Sequence, residues 1–367
     1  MKRLLCIVGG MNVGGAETFL MKVFRRLDKT EYSMDFAVAE KGRCAYDDEI
    51  ESLGGKIHRI TPKSESFSKN FGEIKKLVRD EKYDYVLRTS QHSLSALELY
   101  AAKQGGAKTR VFRSSNSDTG VAGKKSVILH KLCKFMPRHF ANVRIAPSTE
   151  AADFMYGKGS VEKGKAHLLN NGIDTDIFRY SEDARTSIRH EFSIENDLVF
   201  VHIGRFNYQK NHKFLLDIFA EIVKLRPCAK LLLVGKGELE EEIRTTIDKL
   251  GLSNNVIITG VRSDVPAILS ASDAFIMPSF FEGMPNTIIE AQATGLPCII
   301  SDSITKEANI TGLVKYLPLS ISAEQWANEC LAAVASERKD TKSAFIKNKY
   351  DIQSVTDDFV NLIFDFK

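Results

Sequence analysis

The sequence predicts an α/β protein made of two doubly wound domains in tandem, and three observations carry that expectation. At 367 residues the chain exceeds what one hydrophobic core usually serves. Short apolar runs closed by glycine or a small polar residue alternate with segments of helical periodicity, the pattern of βαβ units and a mostly parallel sheet. The alternation then restarts after a turn-rich break at residues 170–180, NNGIDTDIFRY.

In the first half, RLLCIVGG (3–10) is an apolar run ended by glycines, and AETFLMKVFRRL (16–27) follows with helical spacing. DFAVAE, DYVLRT, TRVFRSS and VRIAPS are further buried strands. In the second half, LVFVHIGRF (198–206), KLLLVGKG (230–237), NVIITG, AFIMPS and CIISD form a second strand series. HKFLLDIFAEIVKL and ELEEEIRTTIDKL are the helices between them. The expected domains are residues 1–175 and 176–349, with 350–367 an amphipathic helix packing back on the first domain. In open α/β sheets ligands bind beyond the carboxyl ends of the strands, so two such domains facing each other across a cleft would place the chemistry there.

Composition narrows the class. With 43% hydrophobic and 27% charged residues the chain reads as soluble and globular. The run Leu4–Val8 is too short for a signal peptide or a membrane span. Six scattered cysteines without C-x-x-C spacing argue against a disulfide framework or zinc site and for a reducing compartment, by default the cytoplasm. Residues 1–180 hold 31 Lys/Arg against 21 Asp/Glu, whereas 181–367 hold 20 against 26. The basic half should face an anionic partner, a phosphate-bearing molecule or a membrane surface. Segment 123–144, GKKSVILHKLCKFMPRHFANVR, sets Val127, Ile128, Leu132, Phe135 and Met136 among lysines, as a helix on an anionic membrane would. A core-packing helix with a solvated face reads the same way. No nucleic-acid-binding motif accompanies the charge.

Three stretches could carry chemistry. GGMNVGGAE (9–17) sets four glycines between a strand and a helix, where backbone N–H groups can meet an anion. A tight structural turn needs glycine too. In HIGRFNYQKN (202–211), Arg205 and Lys210 follow a strand, a guanidinium and an ammonium suited to a diphosphate, or simply two solvated cations. In SFFEGMPNTIIEAQATGLP (279–297), Pro285 starts a helix, Gly295 ends it, and Glu282 and Glu290 flank its N-terminus. That arrangement suits a nucleotide with one acid beside the reacting centre, while acids near a helix start are also common for their own sake.

GGMNVGGAETFLMKVFRRLD, NNGIDTDIF, GRFNYQKN, VGKGELEEEI and GVRSDVPAILSASDAFIMPSFFEGMPNTIIEAQATGLPCIISD together resemble glycosyltransferase family 4, retaining enzymes of the two-domain GT-B fold. The likeness spans most of the chain and is greatest to bacterial exopolysaccharide and capsule enzymes. It implies that Arg205 and Lys210 neutralise the donor's diphosphate, and that Gly14 and Gly15 approach the diphosphate or acceptor. Glu282, with Gly283, Met284, Pro285 and Asn286, would hold sugar hydroxyls. Asn286 and Thr287 would lie near the phosphates, Glu290 would grip the ribose, and Val261 and Arg262 would meet the base. Donor and acceptor would be a nucleotide sugar, expected to be a UDP-sugar, and a saccharide or lipid-linked saccharide. No metal or other cofactor is implied, and the place of work would be the cytoplasm or the inner face of its membrane. The family's active-site histidine is missing from its register, where Arg88-Thr89-Ser90 and Arg113-Ser114-Ser115-Asn116 stand. That leaves His92, Ser90 and Asn116 as acceptor-side candidates. Asp174-Thr175-Asp176 spells a metal-binding D-x-D but sits in the interdomain turn, where Asp serves capping. A UDP-GlcNAc epimerase of the same fold and an inactive partner of another transferase are the rival readings, and a homo-oligomer stays open.

Overall fold

Apolar residues fill the strands without alternation because both faces of each sheet are covered. The computed structural model describes residues 1–12, 14–115, 124–282, 284–334 and 338–365, with the side chains of 124–126 left aside. The chain divides into two units, Met1–Gly172 with Ile352–Lys367, and Ile173–Asp351.

The first unit holds β1 (Lys2–Val8), β2 (Tyr32–Val38), β3 (Ile57–Arg59), β4 (Tyr85–Ser90), β5 (Thr109–Ser114), β6 (Val143–Ala146) and β7 (His167–Leu168). They pair in parallel in the order β3-β2-β1-β4-β5-β6-β7. Along β1, Leu4, Cys6 and Val8 join a core with Phe19, Phe24 and Phe36, while Leu5 and Ile7 join another with Ile74 and Leu99. A strand dividing its side chains between two cores must be apolar throughout. The helix Ile352–Phe364 buries Val355, Phe359, Ile363 and Phe364 in the Phe19 core. The Phe364 ring lies 4.8 Å from that of Tyr32 and 4.9 Å from that of Tyr85.

The second unit holds β8 (Val199–Ile203), β9 (Lys230–Val234), β10 (Val256–Gly260), β11 (Ala274–Met277), β12 (Cys298–Ser301) and β13 (Val314–Leu317), all parallel, in the order β10-β9-β8-β11-β12-β13. Its ends meet: the Ile173 N–H donates to Tyr350 O at 2.8 Å, and Thr175 Oγ1 to Asp351 Oδ2 at 2.8 Å. Strand order reverses beside β1 in one sheet and beside β8 in the other, and these are the positions where open α/β sheets bind ligands.

Segment 123–144 is not one helix but two, Lys124–Leu132 and Phe135–Phe140. Pro137 explains the break, since its ring would collide with the Cys133 carbonyl in a continuous helix. Among the described residues no helix is long and apolar enough to cross a membrane.

Candidate active site

The loops after β8 and β11, adjacent strands at the reversal, are laced together in the second unit. After Gly204 the chain makes a short 3₁₀ turn, Tyr208–Lys210, capped by the Asn207 side chain. Asn211 takes a left-handed conformation (φ 53°) to start the helix His212–Leu225, and its Nδ2 donates to Pro278 O at 3.0 Å. The Phe280 N–H donates to Gln209 O at 2.9 Å, and Gln209 Nε2 donates to Phe281 O at 2.9 Å and Glu282 Oε2 at 3.1 Å. Lys210 Nζ then lies 2.7 Å from Glu282 Oε1, with the side chains only 13% and 9% exposed. So little solvent reaches the pair that neither charge is easily left alone. Sequence reasoning found Lys210 and Glu282 but missed Gln209 and Asn211, whose only signal was a polar residue in a turn.

Glycines make this lacing possible. A Cβ on Gly204 would stand 2.9 Å from Lys210 Cε, because the lysine stem crosses over that residue. Gly235, at φ 143°, packs against the Gly204 carbonyl, and Gly237 against the Phe206 backbone. The pair Gly235 and Gly237 therefore serves loop packing. Arg205 is exposed and pairs with Glu238 at 3.1 Å.

Beneath Lys210 two imidazoles are buried. His202 Nδ1 donates to Ile276 O at 2.8 Å, so its Nε2 carries the lone pair, and the His212 ring stands edge-on with centroids 4.9 Å apart. Burial, then the Lys210 charge, push His212 down to about 4, and burial, then His212, hold His202 well below its ordinary value. An unfolded imidazole takes up a proton near about 6.5. Between that pH and the native value the unfolded chain binds more protons, so stability falls as pH drops from about 6.5 toward 4. Each ring is expected to contribute a slope of up to about 1.4 kcal/mol per pH unit. Urea unfolding at several pH values checks this, with His212→Phe flattening the dependence; a pH-independent midpoint would show the rings already protonated in the native state.

Pro285 (φ −78°, ψ 113°) caps the helix Asn286–Ala293, and Gly295 (φ 68°) follows its end. Asn286 is exposed, Thr287, Met284 and Glu290 are half-buried, and Pro285 is buried. Gly283 lies outside the described residues. Val261 is exposed, whereas the Arg262 guanidinium is gripped by Glu191 at 2.7 and 3.0 Å and by Asp264 at 2.8 and 2.7 Å. The hydrogen bonds it donates to Asp264 and Glu191 raise its pKa further. Asp174 Oδ1 accepts from the Asp176 and Ile177 N–H groups, as a turn residue does, and Asp176 pairs with Lys342 at 2.6 Å.

In the first unit Gly14 caps the helix Gly15–Arg26 without a side-chain hydrogen bond. Ser90 Oγ donates to Ser95 Oγ at 2.9 Å and accepts from the His92 N–H at 3.1 Å. His92 Nδ1 accepts from the Leu94 N–H at 3.2 Å, and its ring meets that of buried His130 edge-on, centroids 5.3 Å apart. Asn116 lies outside the described residues. Arg88 is buried, pairs with Glu98 through Nε, and donates through Nη1 to Ile7 O at 3.0 Å and Thr89 O at 2.6 Å. A structural ion pair thus fills the register where a histidine was sought.

Residues 13–177 match the family model "Glycosyltransferase Family 4", and residues 184–351 match "Glycosyl transferases group 1". The chain is 33% identical over 351 residues to the Bacillus subtilis (strain 168) protein EpsF, assigned as a glycosyltransferase, covering 94% of this chain and 91% of that one. The chain belongs to glycosyltransferase family 4. This family 4 glycosyltransferase is also 29% identical over 239 residues to the Escherichia coli UDP-Gal:alpha-D-GlcNAc-diphosphoundecaprenol alpha-1,3-galactosyltransferase, covering 64% of this chain and 62% of that one. Its fold is GT-B, like that of Anabaena Alr3699/HepE in complex with UDP-glucose, with TM-score 0.75 at 18% identity, covering 98% and 99% of the two chains.

Proposed function

We propose that this glycosyltransferase moves a sugar from a UDP-sugar, with retention of configuration, onto a cell-surface polysaccharide or its lipid-linked precursor. The observation that carries the reading is the Lys210–Glu282 pair, held at 2.7 Å where β8 and β11 end and strand order reverses. Lys210 carries N–H donors for a phosphate oxygen while it stays ion-paired with Glu282. In transfer, the bond from the anomeric carbon to the phosphate oxygen breaks and its electron pair leaves on the diphosphate. Lys210 and Arg205 take up that charge, with no metal required. The acceptor hydroxyl bonds to the anomeric carbon on the same face and passes its proton to the departing phosphate oxygen. Placement and electrostatics are then the protein's contribution. The UDP-glucose bound by the Anabaena protein and the diphosphoundecaprenol acceptor named for the E. coli enzyme support these substrate classes.

A lipid-linked acceptor requires work at a membrane, and the basic segment offers the surface. Ile128, Leu129, Leu132 and Phe135 are all exposed, beside exposed Lys131 and Arg138. UDP-sugars are expected to raise the melting temperature where GDP- and ADP-sugars do not. The protein should float with vesicles containing anionic phospholipid and stay behind with zwitterionic ones. Leu132→Asp with Phe135→Asp should abolish flotation and leave the UDP-sugar shift intact. No shift with any nucleotide sugar would overturn the transferase reading in favour of a non-catalytic partner.

A further inference from the structure

Two exposed aromatic rings adjoin the Lys210–Glu282 pair in the second unit. Tyr208, in the 3₁₀ turn, and Phe280, in the loop after β11, each stand two residues before a member of that pair. Their rings stack with centroids 4.8 Å apart and planes 25° from parallel. Tyr208 is 71% exposed and Phe280 37%, although the Phe280 N–H bond to Gln209 O fixes the two loops that carry them. Ordered aromatic surface held in water is a cost that a ligand removes.

Beside the stack lies a cleft of about 180 Å³ between the helices His212–Leu225 and Glu240–Lys249. Buried Leu216 and Ile243 give it an apolar floor, and exposed Lys213 and Glu242 stand at its edge. Neither charged side chain has a hydrogen bond or ion pair among the described residues.

That combination selects among ligands. An acyl chain would desolvate Lys213 and Glu242 without pairing either. A phosphate would suit Lys213 and be repelled by Glu242. A sugar ring satisfies all three elements. Its hydroxyls donate to a carboxylate and accept from an ammonium, and the slightly positive C–H bonds of one face match the negative face of an aromatic ring.

We propose that the Tyr208–Phe280 stack and the adjoining cleft form a saccharide-binding site in the second unit, holding a residue of a glycan chain other than the sugar being transferred. Only the choice of glycan rests on the transferase reading, which makes it the polysaccharide that the enzyme extends. An array of bacterial surface oligosaccharides, exposed to the full chain, is the screen, and each glycan retained is then titrated by calorimetry. Tyr208→Ala with Phe280→Ala should weaken binding at least about tenfold, and so should Lys213→Met with Glu242→Met. The second variant should keep the parent's rise in melting temperature with UDP-glucose. No glycan retained, or an affinity unchanged or raised in either variant, overturns the site and leaves the transferase reading standing. A dimer in sedimentation that the aromatic variant dissolves also overturns it, since a second copy then covers the rings. Glycan binding lost in both variants of a parent that shows no UDP-glucose shift keeps the site and sinks the transferase reading alone. Should the aromatic variant fail to fold, Lys213→Met with Glu242→Met decides.

Discussion

Lys210→Ala is expected to slow sugar transfer by about a hundredfold or more, the usual cost of removing one preorganised donor from developing charge. Its effect on stability is separate and informative. The Glu282 carboxylate, 9% exposed, would keep Gln209 as partner but lose its cation at 2.7 Å. Breaking such a pair costs about 3–5 kcal/mol. Glu282→Ala should cost a similar amount for the mirrored reason, and the double variant less than the two together. Urea unfolding of the four proteins in the cycle measures the coupling, and initial rates with a UDP-sugar measure the chemistry. Additive stability losses would show that the two side chains do not meet in solution.

Gly235→Ala is expected to destabilise the second unit by about 3 kcal/mol or more. A non-glycine residue at positive φ costs about 1–2 kcal/mol and overpacking about 1–3. Here the new methyl would run into the Gly204 carbonyl, a backbone atom that cannot turn aside. Gly204 lies under the Lys210 stem, so transfer should fall along with stability. Gly251→Ala supplies the control, at φ 69° with nothing within 4 Å of the added carbon. It should cost about 1–2 kcal/mol and leave transfer unchanged. Equal losses for the two variants would show that the loop contact carries no weight.

Much of this architecture was legible in the chain. The long apolar strands could be read because each divides its side chains between two cores, as β1 does with Cys6 and Ile7. The helix start at Pro285 and its end before Gly295 followed from residues that permit little else. The two-residue strand β7 and the three-residue strand β3 were not legible, since their few residues carry no periodicity and exist as strands only through their neighbours. The interruption at Cys133–Lys134 is hidden for a different reason: lysines and apolar residues keep helical spacing through it, and Pro137 alone marks it.

Sequence alone determined the βαβ series, the two units and the glycosyltransferase loops, because periodicity, glycine-closed strands and proline-led helices are properties of residues adjacent in the chain. Tertiary structure decided which charges meet. It joined Lys210 to Glu282 and wrapped Arg262 in Glu191 and Asp264. It also buried Arg113, whose Nη2 meets Asn171 and whose guanidinium lies over the face of Phe19. Ion pairing and desolvation depend on groups brought together from distant parts of the chain, and no local pattern encodes them.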